Sequence, residues 1–340
     1  MYKLVKSSLV VLSSLVYNPL YAANCPIPQS QHPTLDAICN AATGNPNCLL
    51  TWKGYQWWLD YNAVPDPGFP GNNWWIRYKW DQGQGYDPRF IRVDENGDLE
   101  LKIATSDLGG GQKEWNSSEA VLVSDKDGNP LGYGHYYAVI YAPPGFAKLD
   151  DNSVFGLFTY AKDDNKKPNN HNEIDMLEIS KWGGKANVEQ SGVDRALMPI
   201  MYNDPPNEND AHAQLGLQPW SSWLTDENFK KYPIPDGVKT VTAYMYWNGK
   251  DGEKKIHIKI FKDNVPLERA KQEKGDLYDW ETTAKNEKYI PNNEDCTRVH
   301  INFYLQHTHC KIWNSNQHKA DPLNKASETI TVKDFTYEPL

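Results

Sequence analysis

The sequence predicts an all-β protein built as a two-sheet antiparallel jelly-roll sandwich, and three observations predict it. About a dozen short runs of strand-like residues recur along the 340-residue chain. Turn signals rich in Gly, Asn, Asp and Pro separate those runs. No internal repeat, heptad or convincing amphipathic helix interrupts them. Many short strands punctuated in this way pack as a double sheet.

The chain opens with Lys3 and Lys6, an apolar stretch from Leu9 to Leu20, and Tyr21-Ala22-Ala23. That pattern is a secretory signal peptide over residues 1–23, cleaved after Ala22 or Ala23. The apolar run is too short, and too broken by serines and Pro19, for a membrane anchor. Asn24 stands where a lipoprotein needs a small residue before Cys25. The mature chain is therefore expected to be secreted or periplasmic, monomeric and off the membrane. Residues 24–72, rich in Pro, Asn and Gly, read as an extension wrapping the domain, and 73–340 as the jelly-roll domain itself. Strands are expected at Trp74–Trp80, Phe90–Val93, Leu99–Ile103, Ala120–Ser124, Tyr136–Tyr141, Phe155–Tyr160 and Glu173–Ile179. Five more follow at Met198–Tyr202, Thr240–Trp247, Lys255–Lys262, Val299–Leu305 and Thr329–Tyr337. Turns fall at Glu95-Asn96-Gly97, Lys126–Pro130 and Asn248–Gly252, and two polar stretches, Lys162–Asn172 and Asn203–His212, read as loops.

Charge and composition narrow the partner. Net charge is −9 with no basic block, which excludes nucleic acid, because phosphate binding needs clustered Lys and Arg. Sulfated and uronate polymers are disfavoured for the same reason, and a neutral polysaccharide fits. Five cysteines in an exported chain imply disulfides with one thiol left over. Cys296 and Cys310 flank one strand, and any two of Cys25, Cys39 and Cys48 can pair. Thirteen Trp and twenty Tyr are a heavy aromatic load, most of it core. Two tryptophans are candidate sugar platforms: Trp182, just past the strand at Glu173–Ile179, and Trp115, in a Gly- and Ser-rich stretch read as a loop. His300, His307, His309 and Cys310 suggest zinc, but on a strand His307 and His309 share a face that His300 and Cys310 do not. No nucleophile elbow or phosphate-binding loop occurs.

The densest chemistry lies in Glu173-Ile174-Asp175-Met176-Leu177-Glu178-Ile179. Acidic residues are depleted from strands and rarely buried unpaired, so three of them in one apolar run need a reason. A line of carboxylates is what glycosidic-bond hydrolysis requires. Alternation puts Glu173 and Asp175 on one face and Glu178 on the other. One bulge, at Met176 or Leu177, restores the parity, so that all three carboxylates share a face while Ile174 and Ile179 point to the core. The two Glu backbones then lie ~13 Å apart, and side chains leaning together close that to roughly 6 Å, near the separation of a retaining pair.

This stretch resembles the bulged catalytic signature of glycoside hydrolase family 16, the β-glucanases and related enzymes with a concanavalin A-like jelly roll. Val93–Leu101 resembles the family's early Asp-Gly turn and strand, Gly132–Val139 its Tyr-Gly strand, and Val154–Tyr160 its Phe-Phe-Thr-Tyr strand. His300-Ile301-Asn302-Phe303-Tyr304 resembles Met-Asn-Leu-Trp, and Val332–Tyr337 the closing Asp-Tyr strand. These matches run in family order over residues 90–340. The chain departs from the pattern at Tyr304 (Trp in the family), at Asn264 (Gly after Asp263) and at His171-Asn172 (Trp-Gly).

The resemblance implies Glu173 as nucleophile, Glu178 as acid/base, and Asp175 as the residue that positions and tunes Glu173. It implies no required cofactor, but a structural calcium held by the Gly97 carbonyl and Asp334, whose alternative reading is a solvated edge-strand carboxylate. The expected activity is retaining endo-hydrolysis of a neutral β-glucan with β-1,3 or mixed β-1,3/1,4 linkages. The alternatives are an inactive carbohydrate-binding jelly roll or a transglycosylase using the same residues.

Overall fold

A computed structural model describes residues 33–60, 85–107, 113–160, 173–181, 195–197, 200–202, 232–284, 287, 290, 297–305 and 323–340. Within them the chain forms two antiparallel sheets packed face to face, the sandwich that the strand count predicts.

The front sheet runs β1 (Leu49–Trp52), β2 (Tyr55–Leu59), β6 (Lys113–Ser124), β16 (Arg298–Leu305), β8 (Ser153–Tyr160) and β9 (Glu173–Ser180). Beyond β9 lie β10 (Ala196–Leu197), β11 (Ile200–Tyr202) and β12 (Tyr232–Pro233). The back sheet runs β4 (Ile91–Val93), β5 (Leu99–Asp107), β17 (Ser327–Pro339), β7 (Gly134–Tyr141), β13 (Thr240–Asn248), β14 (Lys255–Lys262) and β15 (Tyr278–Glu281). β6 belongs to both: its first residues pair with β5 and the short parallel β3 (Gly85–Tyr86), and its later ones with β16 and β2.

Alternation along each strand fills the space between the sheets. Val299, Ile301, Phe303 and Leu305 point inward from β16, and Tyr136, Ala138 and Ile140 meet them from β7, all within one core cluster. On the outer side of the back sheet a second cluster of Tyr137, Val139, Tyr244, Phe261, Val265 and Ala270 lies with α2 (Leu267–Gln272). The buried Lys259 anchors that helix by donating to the carbonyls of Ala270 and Lys271 at 3.0 and 2.9 Å.

Several expectations are corrected. The segment expected to wrap the domain also supplies strands to it, since β2 pairs with β6. The turn between β1 and β2 is made by Lys53 and Gly54, both at positive φ (53° and 83°), the two-residue geometry that matches strand twist. Two helices are present among the described residues, α1 (Pro33–Thr43) and α2. The first starts on a proline and is followed by Gly44 at φ 71°, the usual start and stop chemistry. Cys39 bonds Cys48, closing the segment between α1 and β1. Cys25, Cys296, Cys310 and the expected strand Trp74–Trp80 lie outside the described residues, as does the expected signal peptide. No helix among the described residues is long and apolar enough to cross a membrane.

Candidate active site

β9 carries one residue too many, and its neighbours on both sides count it. Against β8, Leu177 pairs with Leu157 and Asp175 with Phe158, leaving Met176 unmatched. On the other edge, Leu197 pairs with Ile179 and Ile200 with Asp175, so the register there also shifts by one residue. The bulge therefore sits at Met176. Its consequence for burial is direct: Ile174, Met176, Leu177 and Ile179 all belong to the core, which leaves Glu173, Asp175 and Glu178 on the opposite face. A bulge turns an odd spacing into a shared face. The apolar residues hold it there, since undoing it would drive Leu177 or Met176 out of the core at roughly 2–4 kcal/mol.

The three carboxylates differ in environment. Glu173 is half-buried at the start of the strand, whereas Asp175 and Glu178 are only 4% and 8% exposed. Burial, reinforced by the charges of Glu173 and Glu178, holds the Asp175 carboxyl well above the usual carboxylate range. Desolvation and like charge both disfavour the ionised form, so the fold strengthens the hold of Asp175 on its proton. Its Oδ2 is buried without a hydrogen-bond partner among the described residues. Of the three carboxyls it is the middle one, Asp175, that is pushed up in this way.

Cross-strand register lays out the rest of this face. Asp175 lies opposite Phe158, which lies opposite His300. Glu178 lies opposite Gly156, then Asn302, then Glu119. Gly156 is glycine for a steric reason: a Cβ there would meet Asn302 Oδ1 at 2.5 Å. Asn302 thus lies over the gap beside Glu178. Its Oδ1 is buried and unpartnered among the described residues, a state costing about 1–3 kcal/mol until a donor arrives.

His300 Nδ1 donates to Glu119 Oε1 at 2.9 Å. Its ring stacks on Phe158 with centroids 5.1 Å apart and meets Tyr160 edge-on at 5.7 Å. Sequence reasoning weighed His300 only as a zinc ligand and did not name Glu119, Gly156, Phe158 or Tyr160 as site residues. The signal was available in β16, where Arg298, His300, Asn302 and Tyr304 alternate with core residues.

Other candidates fare differently. Trp182, His307 and His309 lie outside the described residues. Trp115 is not in a loop: it sits on β6 opposite Thr105, half-buried and packed against the main core. The calcium expectation does not fit. The Gly97 carbonyl accepts the Trp52 indole N–H at 2.9 Å, and Asp334 Oδ1 accepts the Phe335 backbone N–H at 3.0 Å. Positive charge near Asp98 and Asp334 comes from Lys53 and Lys333. Calcium asks for six to eight oxygen ligands, and among the described residues no cluster of three or more His, Cys, Asp or Glu side chains is gathered for a metal.

No family model matches this chain, and no curated protein does. Among solved structures it is similar to a glycoside hydrolase family 16 endo-glucanase from Bacteroides ovatus in complex with G4G3G-2F-DNP, 14% identical, with 85% of this chain and 97% of that one covered and a TM-score of 0.49. It is similar also to an endo-β-1,3-glucanase from Pyrococcus furiosus, 12% identical, covering 86% and 91%, TM-score 0.47. A third is a prokaryotic β-1,3-1,4-glucanase (lichenase) derived from a mouse hindgut metagenome, 13% identical, covering 83% and 93%, TM-score 0.40.

Proposed function

We propose that this protein is a secreted, retaining endo-glycosidase that hydrolyses a neutral β-glucan with β-1,3 or mixed β-1,3/1,4 linkages. The observation that carries the reading is the bulge at Met176, which sets two glutamates and an aspartate on one face of one strand. In this reading Glu173 attacks the anomeric carbon, while Glu178 protonates the departing glycosidic oxygen. A glycosyl ester forms on Glu173. Glu178, now ionised, takes a proton from water, which attacks the ester and restores the starting configuration. In this reading Asp175 keeps its proton, the direction in which burial and the neighbouring carboxylates push it. It spares the two glutamates a third charge and offers a proton to a neighbouring carboxylate oxygen, steadying the nucleophile. Trp182, two residues past the end of β9, is proposed to stack on the apolar face of a sugar. Net charge −9 fits an uncharged polymer.

The test is digestion of a panel of β-glucans and galactans with reducing-end detection, together with anomeric analysis of the first product. A glucan cut internally, with retained configuration, is the expected result; inversion or no cleavage across the panel sinks the reading. Products longer than the substrate would show a transglycosylase instead. Glu173→Gln should abolish turnover, and azide should rescue it as an inverted glycosyl azide. Secretion is checked separately: mature protein should begin at Ala23 or Asn24.

A further inference from the structure

We infer that Arg195 is a positioning residue for Glu178: its buried guanidinium clamps the end of the bulged strand and so fixes where the acid stands relative to Glu173. The inference rests on the reading of Glu178 as acid/base and adds to it a residue on the far side of the strand.

The first observation is where Arg195 reaches. It stands just before β10, level with Lys181 at the end of β9, because Ala196 pairs with Ser180. Ser153 opens β8 and is level with Lys181 from the other side, because Phe155 pairs with Ile179. Strands two apart lie ~10 Å from each other, and the Arg195 side chain closes that span. Its Nη1 donates to the Ser153 carbonyl at 2.8 Å. Its Nη2 donates to the Leu149 carbonyl at 3.0 Å and to that of Asp150. Alternation puts Arg195 on the face of Leu197, a core residue, and Arg195 is 3% exposed. The guanidinium therefore passes beneath the end of β9, on the side away from the carboxylates.

The second observation is that the turn it grips is itself fixed. The Asp150 carboxylate accepts the backbone N–H groups of Asn152 and Asn324 at 3.0 and 2.8 Å. The Asp150 N–H in turn donates to Glu328 Oε2 at 2.8 Å, and Leu149 lies in the main core. Lys181 Nζ meets Asp151 Oδ1 of the same turn at 2.5 Å. One cation at the end of β9 and one at the start of β10 thus converge on Leu149–Ser153.

The third observation is why this end of β9 needs a clamp. The bulge at Met176 interrupts the β8–β9 register, so Leu177–Ile179 is set apart from Ile174–Asp175. On the outer edge, Ile179 and Ser180 pair with the two residues of β10, a short pairing that holds weakly by itself. Apolar packing could fill the place of Arg195 without the desolvation cost of a charge. What the guanidinium adds is a rigid fork of donors, and with it a defined geometry. Acid catalysis depends on that geometry, since a misplacement of about 1 Å costs on the order of 10²-fold.

The experiment uses the full-length mature enzyme, a glucan polymer, and the dinitrophenyl glycoside of a glucan oligosaccharide, whose leaving group needs no proton. Arg195→Ala, Arg195→Lys and Asp151→Asn are compared with the parent and with Glu178→Gln, each well below its melting temperature. Arg195→Ala should lose about tenfold or more in kcat/KM on the polymer and no more than about twofold on the aryl glycoside. Arg195→Lys keeps one donor group and should recover part of the loss. Asp151→Asn loosens the outer cation and should show the same bias more weakly. Equal losses on the two substrates, or an undiminished polymer rate in Arg195→Ala, would overturn the inference, because a purely structural residue lowers both activities together. Should Arg195→Ala not fold, the substrate bias of Arg195→Lys and Asp151→Asn decides. A parent that cleaves neither substrate, or a Glu178→Gln enzyme impaired equally on both, defeats the reading of Glu178 as acid. A bias in Glu178→Gln with none in the Arg195 variants defeats only this inference.

Discussion

Among the described strands β6 holds one residue in excess at Val123 against β2, β9 one at Met176 and β17 one at Lys333, and the last two excesses work in opposite directions. In β17, Val332 pairs with Ile140 and Asp334 with Val139, so Lys333 is unmatched. Ile330 and Val332 enter the core before it, and Phe335 and Tyr337 after it. There the surplus residue faces outward, its ammonium 4.6 Å from the Tyr141 ring centroid, and the bulge keeps aromatic residues inside. In β9 the surplus residue is buried, and the bulge keeps a carboxylate outside. The same backbone device serves packing in one sheet and chemistry in the other. It follows that damage to the first should register as lost stability and damage to the second as lost turnover.

The largest expected effects test that separation. Glu178→Gln should cut polymer hydrolysis by about 10²–10⁴-fold while leaving the melting temperature unchanged or higher, since it removes one of the charges crowding Asp175. Phe335→Ala, which empties a site packed by Tyr55 and Trp57 at 5.3 and 5.1 Å, should cost about 3–5 kcal/mol. Calorimetry and reducing-end assays on both variants decide; a Glu178→Gln protein that unfolds breaks the comparison.

Deletions come next. Removing Met176 leaves Glu-Ile-Asp-Leu-Glu, in which regular alternation already aligns the carboxylates, at a packing cost of about 2–4 kcal/mol. Activity should survive in part. Removing Lys333 likewise leaves a regular strand and forfeits only about 0.5–1 kcal/mol of contact with Tyr141. Complete inactivity of a folded Met176 deletion would mean that the bulge does more than correct parity.

Asp175 gives a pH test with a definite sign. Its native pKa lies above the unfolded value, so the native state binds the proton more tightly and stability falls as pH rises from about 4 through the native pKa. Asp175→Asn, a mimic of the protonated form, should therefore melt higher than the parent at pH 7 and converge with it near pH 3–4. Melting curves across that window would refute the neutral Asp175 by showing no convergence. The smallest effect is expected at Lys333→Ala, within about 1 kcal/mol by chemical denaturation.

The bulges of β9 and β17 are written in the sequence as breaks of parity. Ile174 and Met176 sit at even positions, Leu177 and Ile179 at odd ones, and Ile330-Val332 against Phe335-Tyr337 repeats the switch. An adjacent apolar pair within an alternating strand marks a buried extra residue, and an adjacent polar pair an exposed one. That is why the carboxylate face was legible from one strand. Its partners were not, because Glu119 and His300 are 181 residues apart and meet only through β6–β16 pairing. Trp115 was misread as a loop residue because glycines precede it and Ser117-Ser118 follow, while its burial is set by β5 across the sheet. The hairpin of β1 and β2 escaped notice because its two-residue turn, Lys53-Gly54, sits in a segment dominated by Pro and Asn. Short α2 offers too few turns for a helical period to show.

The hairpin at the start of the described chain is tied to its last strand. The Tyr55 hydroxyl accepts the Tyr337 backbone N–H at 2.8 Å across 282 residues, and the Trp57 ring rests on Phe335. Contacts of such long sequence separation close late, because a very large loop must be ordered before they form. Until the last strand has been synthesised, β2 lacks its partners Phe335 and Tyr337, and aromatic surface stays exposed to other chains. A protein stitched together in this way, first described strands to last, reaches its final packing only as a whole.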